Sequence, residues 1–289
     1  MKPSEAHTCY LSGQELFHRN SRRNYVRAKD MFSKAIALDP GYAQAYAGIA
    51  DVDAFLFIDY SMEGALDGVL VNSDKALALD PNLAEARATR GLALSGKRRY
   101  AEAEAEFERA IALNSELYEA HYFYGRCCYV QGKLEETARH WTRASEVNPN
   151  DFQAQVLLTQ VYFSLNQRDN ELNAARRGLE RAEQELARNP ENVRAAYLGA
   201  NALSVLGQVE QAKEWSTRAL AIDPTDVMTS YNIACQSVAF GEFDRAFDLL
   251  ESLLPRASRD TKVWTLQDSD FNELRDLPRW QKVVELTSA

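Results

Sequence analysis

The stretch Ala35–Pro40, "AIALDP", decides how this chain is read, because near copies return as "ALALDP" at Ala76–Pro81, "AIALNS" at Ala110–Ser115 and "ALAIDP" at Ala219–Pro224. Each reads as the last turn of a helix. Alanine and leucine pack inward, the Asp begins to leave the helix, and Pro forbids its continuation. Working outward, Pro40, Pro81, Pro149, Pro190 and Pro224 are separated by 41, 68, 41 and 34 residues. The 68 is twice 34, with Ser115 at its midpoint, and each 41 is 34 plus 7, about two extra helical turns. One joint therefore recurs with a unit of 34 residues, and seven units are expected, at about 3–40, 41–81, 82–115, 116–149, 150–190, 191–224 and 225–258.

The interior of each unit supports two helices. In the third, Gly91, Ala103 and Ala110 are small where two helices must approach, and Phe107 fills the space between them. The fourth places Gly125, Trp141 and Ala144 at the same offsets. Gly96, Gly132, Gly207 and Gly241 read as turns between the helices. Asn82, Asn150, Asn192 and Thr225 follow the joints and can cap the next helix. The first unit is the least regular, with a polar turn at Asn20 to Asn24. The second and fifth carry seven-residue insertions, around "FLFIDYSMEGALDG" and in a lengthened second helix at "DNELNAARRGLERAEQELARNP". Past Ser258 the pattern fails, and residues 259–289 read as two short capping helices, with Phe271, Leu274, Trp280 and Val284 covering the exposed end of the array.

This combined Gly, Ala, Phe and Pro pattern at a 34-residue period resembles the tetratricopeptide repeat family over nearly the whole chain. The resemblance implies an all-α superhelical solenoid of about seven repeats with a C-terminal helical cap. Arg90, Thr159 and Ser216 depart from the family pattern at packing positions. A narrower resemblance, carried by "CYLSG" at Cys9–Gly13, "YNIACQSVAFGEFDRAFDLLE" at Tyr231–Glu251 and "DSDFNELRDLPRWQKVV" at Asp268–Val284, is to the C-terminal repeat regions of bacterial adenylate cyclases, kinases and winged-helix regulators. No such catalytic or DNA-binding domain is visible in the sequence.

A formal net charge of -9 argues against a general nucleic-acid binder, and leaves room for an acidic surface that takes a basic partner. Four cysteines form no disulfide framework, which points to a reducing compartment. The N-terminus has no signal-like apolar segment, and no window approaches the ~18 apolar residues of a membrane span. A cytoplasmic location is the expectation.

Chemistry is sparsely signalled. "GLALSGKR" at Gly91–Arg98 is one residue short of a phosphate-binding loop, has Arg98 where a hydroxyl is needed, and follows a helix rather than a strand. His7, His18, His121 and His140 are the only histidines; His121 and His140 can meet across one helix pair but lack metal-ligand spacing in sequence. Cys127 and Cys128 read as small apolar helix residues. Acidic runs such as "AEAEAEFE" read as a solvated helix face. No catalytic, cofactor-binding or metal-ligating residue is assigned, and the chain is read as non-enzymatic.

In a stack of helix pairs the first helices line the concave surface. Counted from each unit's start, the inward positions give Glu119, Tyr122, Phe123, Arg126 and Tyr129, then Gln153, Gln160 and Phe163, then Arg194, Tyr197 and Asn201, then Tyr231, Asn232 and Cys235. Of these, Tyr122, Arg126, Tyr129, Gln160, Phe163, Arg194, Tyr197, Asn201, Tyr231 and Asn232 are the candidate peptide-binding set, since rings supply apolar area and amides pair with main chain. Asn201 and Asn232 match the two asparagines of the family's carboxylate clamp, but Tyr197 stands at its first lysine, so the clamp is incomplete. The expected function is a scaffold that binds a protein or peptide segment; the alternative is a self-associating regulatory module of a bacterial signalling protein.

Overall fold

The structure is a computed structural model, and it describes residues 4–19, 21–60, 62, 64–257 and 259–288. Asn20 and Ser258, which the sequence places at a turn and at the end of a unit, lie outside the described residues, as do Ser61 and Glu63 of the expected insertion. Among the described residues the regular structure is helical throughout, with no strand. The helices are α1 (Glu5–Phe17), α2 (Arg22–Leu38), α3 (Ala43–Tyr60), α4 (Ala65–Leu79), α5 (Ala84–Gly96), α6 (Tyr100–Leu113), α7 (Tyr118–Val130), α8 (Leu134–Val147), α9 (Gln153–Ser164) and α10 (Arg168–Arg188), followed by α11 (Val193–Val205), α12 (Val209–Ile222), α13 (Val227–Ala239), α14 (Phe243–Leu253), α15 (Arg259–Gln267) and α16 (Trp280–Ser288). Short 3-10 turns at Leu254–Arg256 and Ser269–Leu274 flank α15. Consecutive helices pack as pairs, and each pair packs on the next within two compact units. Unit 1 comprises Met1–Ile58 and Met62–Arg181, and unit 2 comprises Asp59–Ser61 and Ala182–Ala289.

The recurring joint has a local cause. Asp39, Asp80, Asn148 and Asp223 end their helices in extended backbone, with φ between -140° and -115°. A residue before proline is confined to that region. Asn114, which precedes Ser115 rather than proline, adopts the same conformation. What the five share is an Asx turn: a side-chain oxygen accepts from the N–H two residues on, at 2.9 Å from Gly41, 3.0 Å from Asn82, 3.0 Å from Glu116, 3.2 Å from Asn150 and 2.9 Å from Thr225. Asp268 repeats the arrangement on Asp270 N–H at 3.0 Å.

This turn corrects the expected caps. Asn82, Asn150 and Thr225 present their N–H groups to the preceding Asx residue. The capping oxygens of α9, α11 and α13 belong to Asp151, Asn192 and Asp226, which accept from Ala154 N–H at 2.7 Å, Ala195 N–H at 3.0 Å and Thr229 N–H at 3.2 Å. Only Asn192 fulfils the sequence expectation.

The turn inside each pair follows one rule. Gly132, Gly207 and Gly241 sit at φ of 74°, 75° and 72°, and the next residue's N–H reaches back to a carbonyl five residues earlier, as in Lys133 N–H to Cys128 O at 3.0 Å. That is the Schellman arrangement that satisfies the last carbonyls of a helix. Gly96 is not its counterpart: it is the final residue of α5, and Arg98, 34 residues before Gly132, holds the left-handed position at φ 61°. Asn166 does the same at φ 56°.

Packing across the α1–α2, α5–α6, α7–α8 and α11–α12 pairs depends on a glycine under an aromatic ring. A Cβ at Gly125 would overlap the Trp141 indole, which lies across the helix crossing and donates from Nε1 to Tyr122 O at 3.1 Å. Where the sixth unit has Ser216 instead of the aromatic, the neighbouring Trp215 packs on Gly199, and the buried Ser216 hydroxyl pairs with Gln236. Arg90, out of place for an apolar position, is held by Asp74 and Glu106, each at 2.7 Å. Extra length enters as helix: α10 has 21 residues against 14 for α6, α8 and α12, and α3 has 18 against 13 for α5.

In unit 2 a separate apolar cluster joins Phe247, Leu250, Leu253 and Leu254 to Phe271, Leu274, Trp280 and Val283. Val283 is the fully buried valine of α16, with Val284 packed beside it.

Candidate functional site

In unit 1 the first helices α7 and α9 each carry a polar and aromatic stripe along one side. On α7, Glu119, Tyr122, Arg126 and Tyr129 fall at intervals of three and four and so share one side. Gln153, Gln160 and Phe163 do the same on α9. Tyr122 is fully buried, stacks on Tyr118 at 5.3 Å and donates to Gln153 Oε1 at 3.3 Å. The Arg126 guanidinium lies over its ring at 6.0 Å. Tyr129 is 39% exposed and leans on Trp141, Phe163 is 63% exposed, and Gln160 is exposed. Unit 1 thus splits its candidates into a buried ring that fixes the surface and exposed groups that can meet a partner.

Carboxylates crowd the same helices. Asp51, Glu85 and Glu119 come from α3, α5 and α7 and stand 34 residues apart in sequence. Burial first, then repulsion from Glu119 and Glu85, raises the Asp51 carboxyl well above the ordinary range. Glu119 is raised by burial, then by Glu85 and Asp151. Asp151 is raised by burial even though it accepts from the Ala154 and Gln153 N–H groups, and Tyr118 donates to it at 2.9 Å. Tyr10 is pushed up to about 12 by burial and then by Asp51. Glu85 and Glu119 also occupy first helical turns, where the helix dipole favours a negative charge. Sequence reading missed Asp51 and Glu85; an acidic residue recurring at the repeat interval was the signal that marked them.

In unit 2, Arg194 and Tyr197 are buried and joined, the guanidinium donating to the Tyr197 hydroxyl at 2.7 Å. Tyr231 is buried, its hydroxyl donating to Asp268 Oδ2 at 2.6 Å. Asn201 accepts from Gln236 at 3.4 Å, and Asn232 donates to Met228 O at 2.8 Å. Both asparagines are partly buried. Here too the rings and the arginine are structural supports, and the partly exposed amides are the groups nearest solvent.

Cys235, Asp268 and Asp270 bring ligand atoms within 4.8 Å of one another. Asp268 already uses one oxygen on Asp270 N–H and the other on Tyr231, so its carboxylate serves the turn. Cys127 and Cys128 are buried, and burial raises both thiols, Cys128 to about 12, which leaves neither as a reactive thiolate at neutral pH. His121 and His140 do meet, with ring centroids 6.0 Å apart.

Comparison with known proteins agrees with this build. Residues 88–138, which span most of α5, all of α6 and α7 and the start of α8, match the tetratricopeptide repeat family. Outside that stretch, both units likewise pack their helices as consecutive pairs. Human IFIT1, solved as a dimer with m7Gppp-AAAA, superposes with a TM-score of 0.65 at 16% identity, covering 98% of this chain and 72% of that one. PilW, a widely conserved type IV pilus biogenesis factor, superposes at 0.51 and 20% identity, covering 77% of this chain and 96% of its own. At these identities the likeness is one of fold. No curated protein matches the sequence. Among the described residues no helix is long and apolar enough to cross a membrane.

Proposed function

We propose that this chain is a protein-interaction scaffold that binds an extended, cationic peptide segment along the first-helix stripe of unit 1. The observation that carries the reading is the set of three carboxylates, Asp51, Glu85 and Glu119, on successive first helices, where Glu119 and Glu85 raise the proton affinity of Asp51 and Glu85 raises that of Glu119. Such crowding costs stability in the free protein, and a Lys or Arg side chain set among the carboxylates relieves it. Tyr129 and Phe163 supply exposed apolar area beside the stripe, and Gln160 an amide for main-chain pairing. In unit 2, Asn201 and Asn232 extend the proposal to a second contact surface.

The test is fluorescence anisotropy with a short labelled peptide rich in Lys and Arg and its Glu-substituted counterpart. The cationic peptide binds, binding weakens as salt is raised because the contacts are electrostatic, and Asp51→Asn with Glu119→Gln lowers affinity roughly 10-fold or more. Equal binding of both peptides, or no effect of the double variant, refutes the reading. In unit 2, Tyr197→Phe with Asn232→Ala is the informative pair, because Tyr197→Ala would empty a buried position and confound packing with binding.

A further inference from the structure

The histidines point to a site that the peptide reading does not use. His121 on α7 and His140 on α8 are 6% and 8% exposed, and His121 Nδ1 and His140 Nε2 are buried with no hydrogen-bond partner. Buried polar atoms are almost always paired, so two orphans on adjacent rings require an explanation. His121 Nε2 is 3.0 Å from Ser115 O and must donate to it, since a carbonyl only accepts. That bond fixes the tautomer and leaves Nδ1 with a bare lone pair. A ring oriented by a backbone carbonyl is the usual setting of a metal-ligating imidazole.

We propose that His121 and His140 form a binding site for a divalent transition-metal ion, with Nδ1 of the first ring and Nε2 of the second as its protein ligands. An ion bound at ~2.0–2.1 Å from each nitrogen lies roughly 3.2 Å from each ring centroid, so two rings sharing it have centroids about 5 to 6.4 Å apart from tetrahedral to linear angles. The observed 6.0 Å falls in that span. Tyr124 stacks on His140 at 4.1 Å and holds that ring in place. Burial keeps both imidazoles in the neutral form that ligates. Both rings line a groove of about 610 Å³ with Thr142, Arg143, Glu146 and Tyr162, from which solvent completes the coordination. The Arg143 charge is answered by Glu116 and Glu146, and Arg139 is exposed to solvent. Among the described residues no third His, Cys or carboxylate donor joins the pair, which selects imidazole-seeking ions such as Zn²⁺, Ni²⁺ or Co²⁺ over Ca²⁺ or Mg²⁺.

The experiment is calorimetric titration of the full chain with Zn²⁺, with Co²⁺ absorption as the spectroscopic probe. One equivalent binds, and His121→Gln and His140→Gln each weaken binding roughly 10-fold or more, while His7→Gln with His18→Gln, and Cys235→Ser, leave it unchanged. No binding to the wild-type chain, or wild-type affinity in either single variant, overturns the proposal. Helical circular dichroism checks each variant. If either fails to fold, the imidazole proton signals of the wild-type chain decide: Zn²⁺ shifts those of His121 and His140 first, and shifts confined to His7 or His18 overturn the site.

Discussion

At the scale of single residues, the structure separates side chains that the sequence pattern treats alike. Tyr122, Tyr197 and Tyr231 are buried and tied to Gln153, Arg194 and Asp268, whereas Tyr129 and Phe163 face solvent. All were legible as inward-facing positions of first helices. Which of them a neighbouring helix covers depends on contacts that spacing does not encode. Asp51 gives the residue-scale prediction. Its folded pKa is raised above the unfolded value of about 3.9, so the native state binds a proton that the unfolded chain releases. Its contribution is therefore present at low pH and lost as pH rises from about 4 through the raised native pKa. Asp51→Asn is expected to be more stable than the wild type at pH 7, with the difference shrinking toward pH 4. Urea unfolding at both values checks it, and a destabilised variant at pH 7 contradicts the assignment.

At the scale of elements, the helices were readable because their joints are local chemistry. An Asp or Asn closing an Asx turn, and a residue two positions past a helix end at positive φ, need no partner far away in sequence. The misreadings were local as well. Gly96 is the glycine nearest this turn, but the Schellman position falls at Arg98, where an L-residue is forced into left-handed backbone. Arg98→Gly is expected to stabilise the α5–α6 pair by about 1 kcal/mol by removing that strain, and Gly132→Ala to cost about the same in the α7–α8 pair. Chemical denaturation of the two variants beside the wild type measures both, and a change of the same sign in the two would refute the assignment of one turn type. The caps show the other limit: Asn82, Asn150 and Thr225 have capping side chains, but the Asx residue two positions earlier already holds the geometry.

At the scale of the whole molecule, each compact unit is stabilised by contacts between successive helices, so the last helices must be covered. In unit 2 the cover is made by Phe271, Leu274, Trp280 and Val283 on Phe247, Leu250 and Leu253. Trp280→Ala is expected to cost about 3 to 5 kcal/mol and to raise amide exchange in α13, α14 and α16 before it does so in unit 1. Hydrogen exchange resolved along the chain reads this directly, and uniform loss of protection would argue against a local cap.

The sequence by itself determined the helical array: a repeated joint at 34-residue intervals, small residues at crossings and an acidic balance are properties of the chain that hold whatever it touches. Tertiary structure decided where charge and polarity converge. Glu85 and Glu119 act on Asp51 only because packing brings their helices together, and the His121 and His140 rings become the proposed site only because α7 and α8 bury one nitrogen of each ring without a partner. Helix formation is set by neighbours a few residues apart. Electrostatic crowding and desolvation depend on distances between segments that only packing fixes.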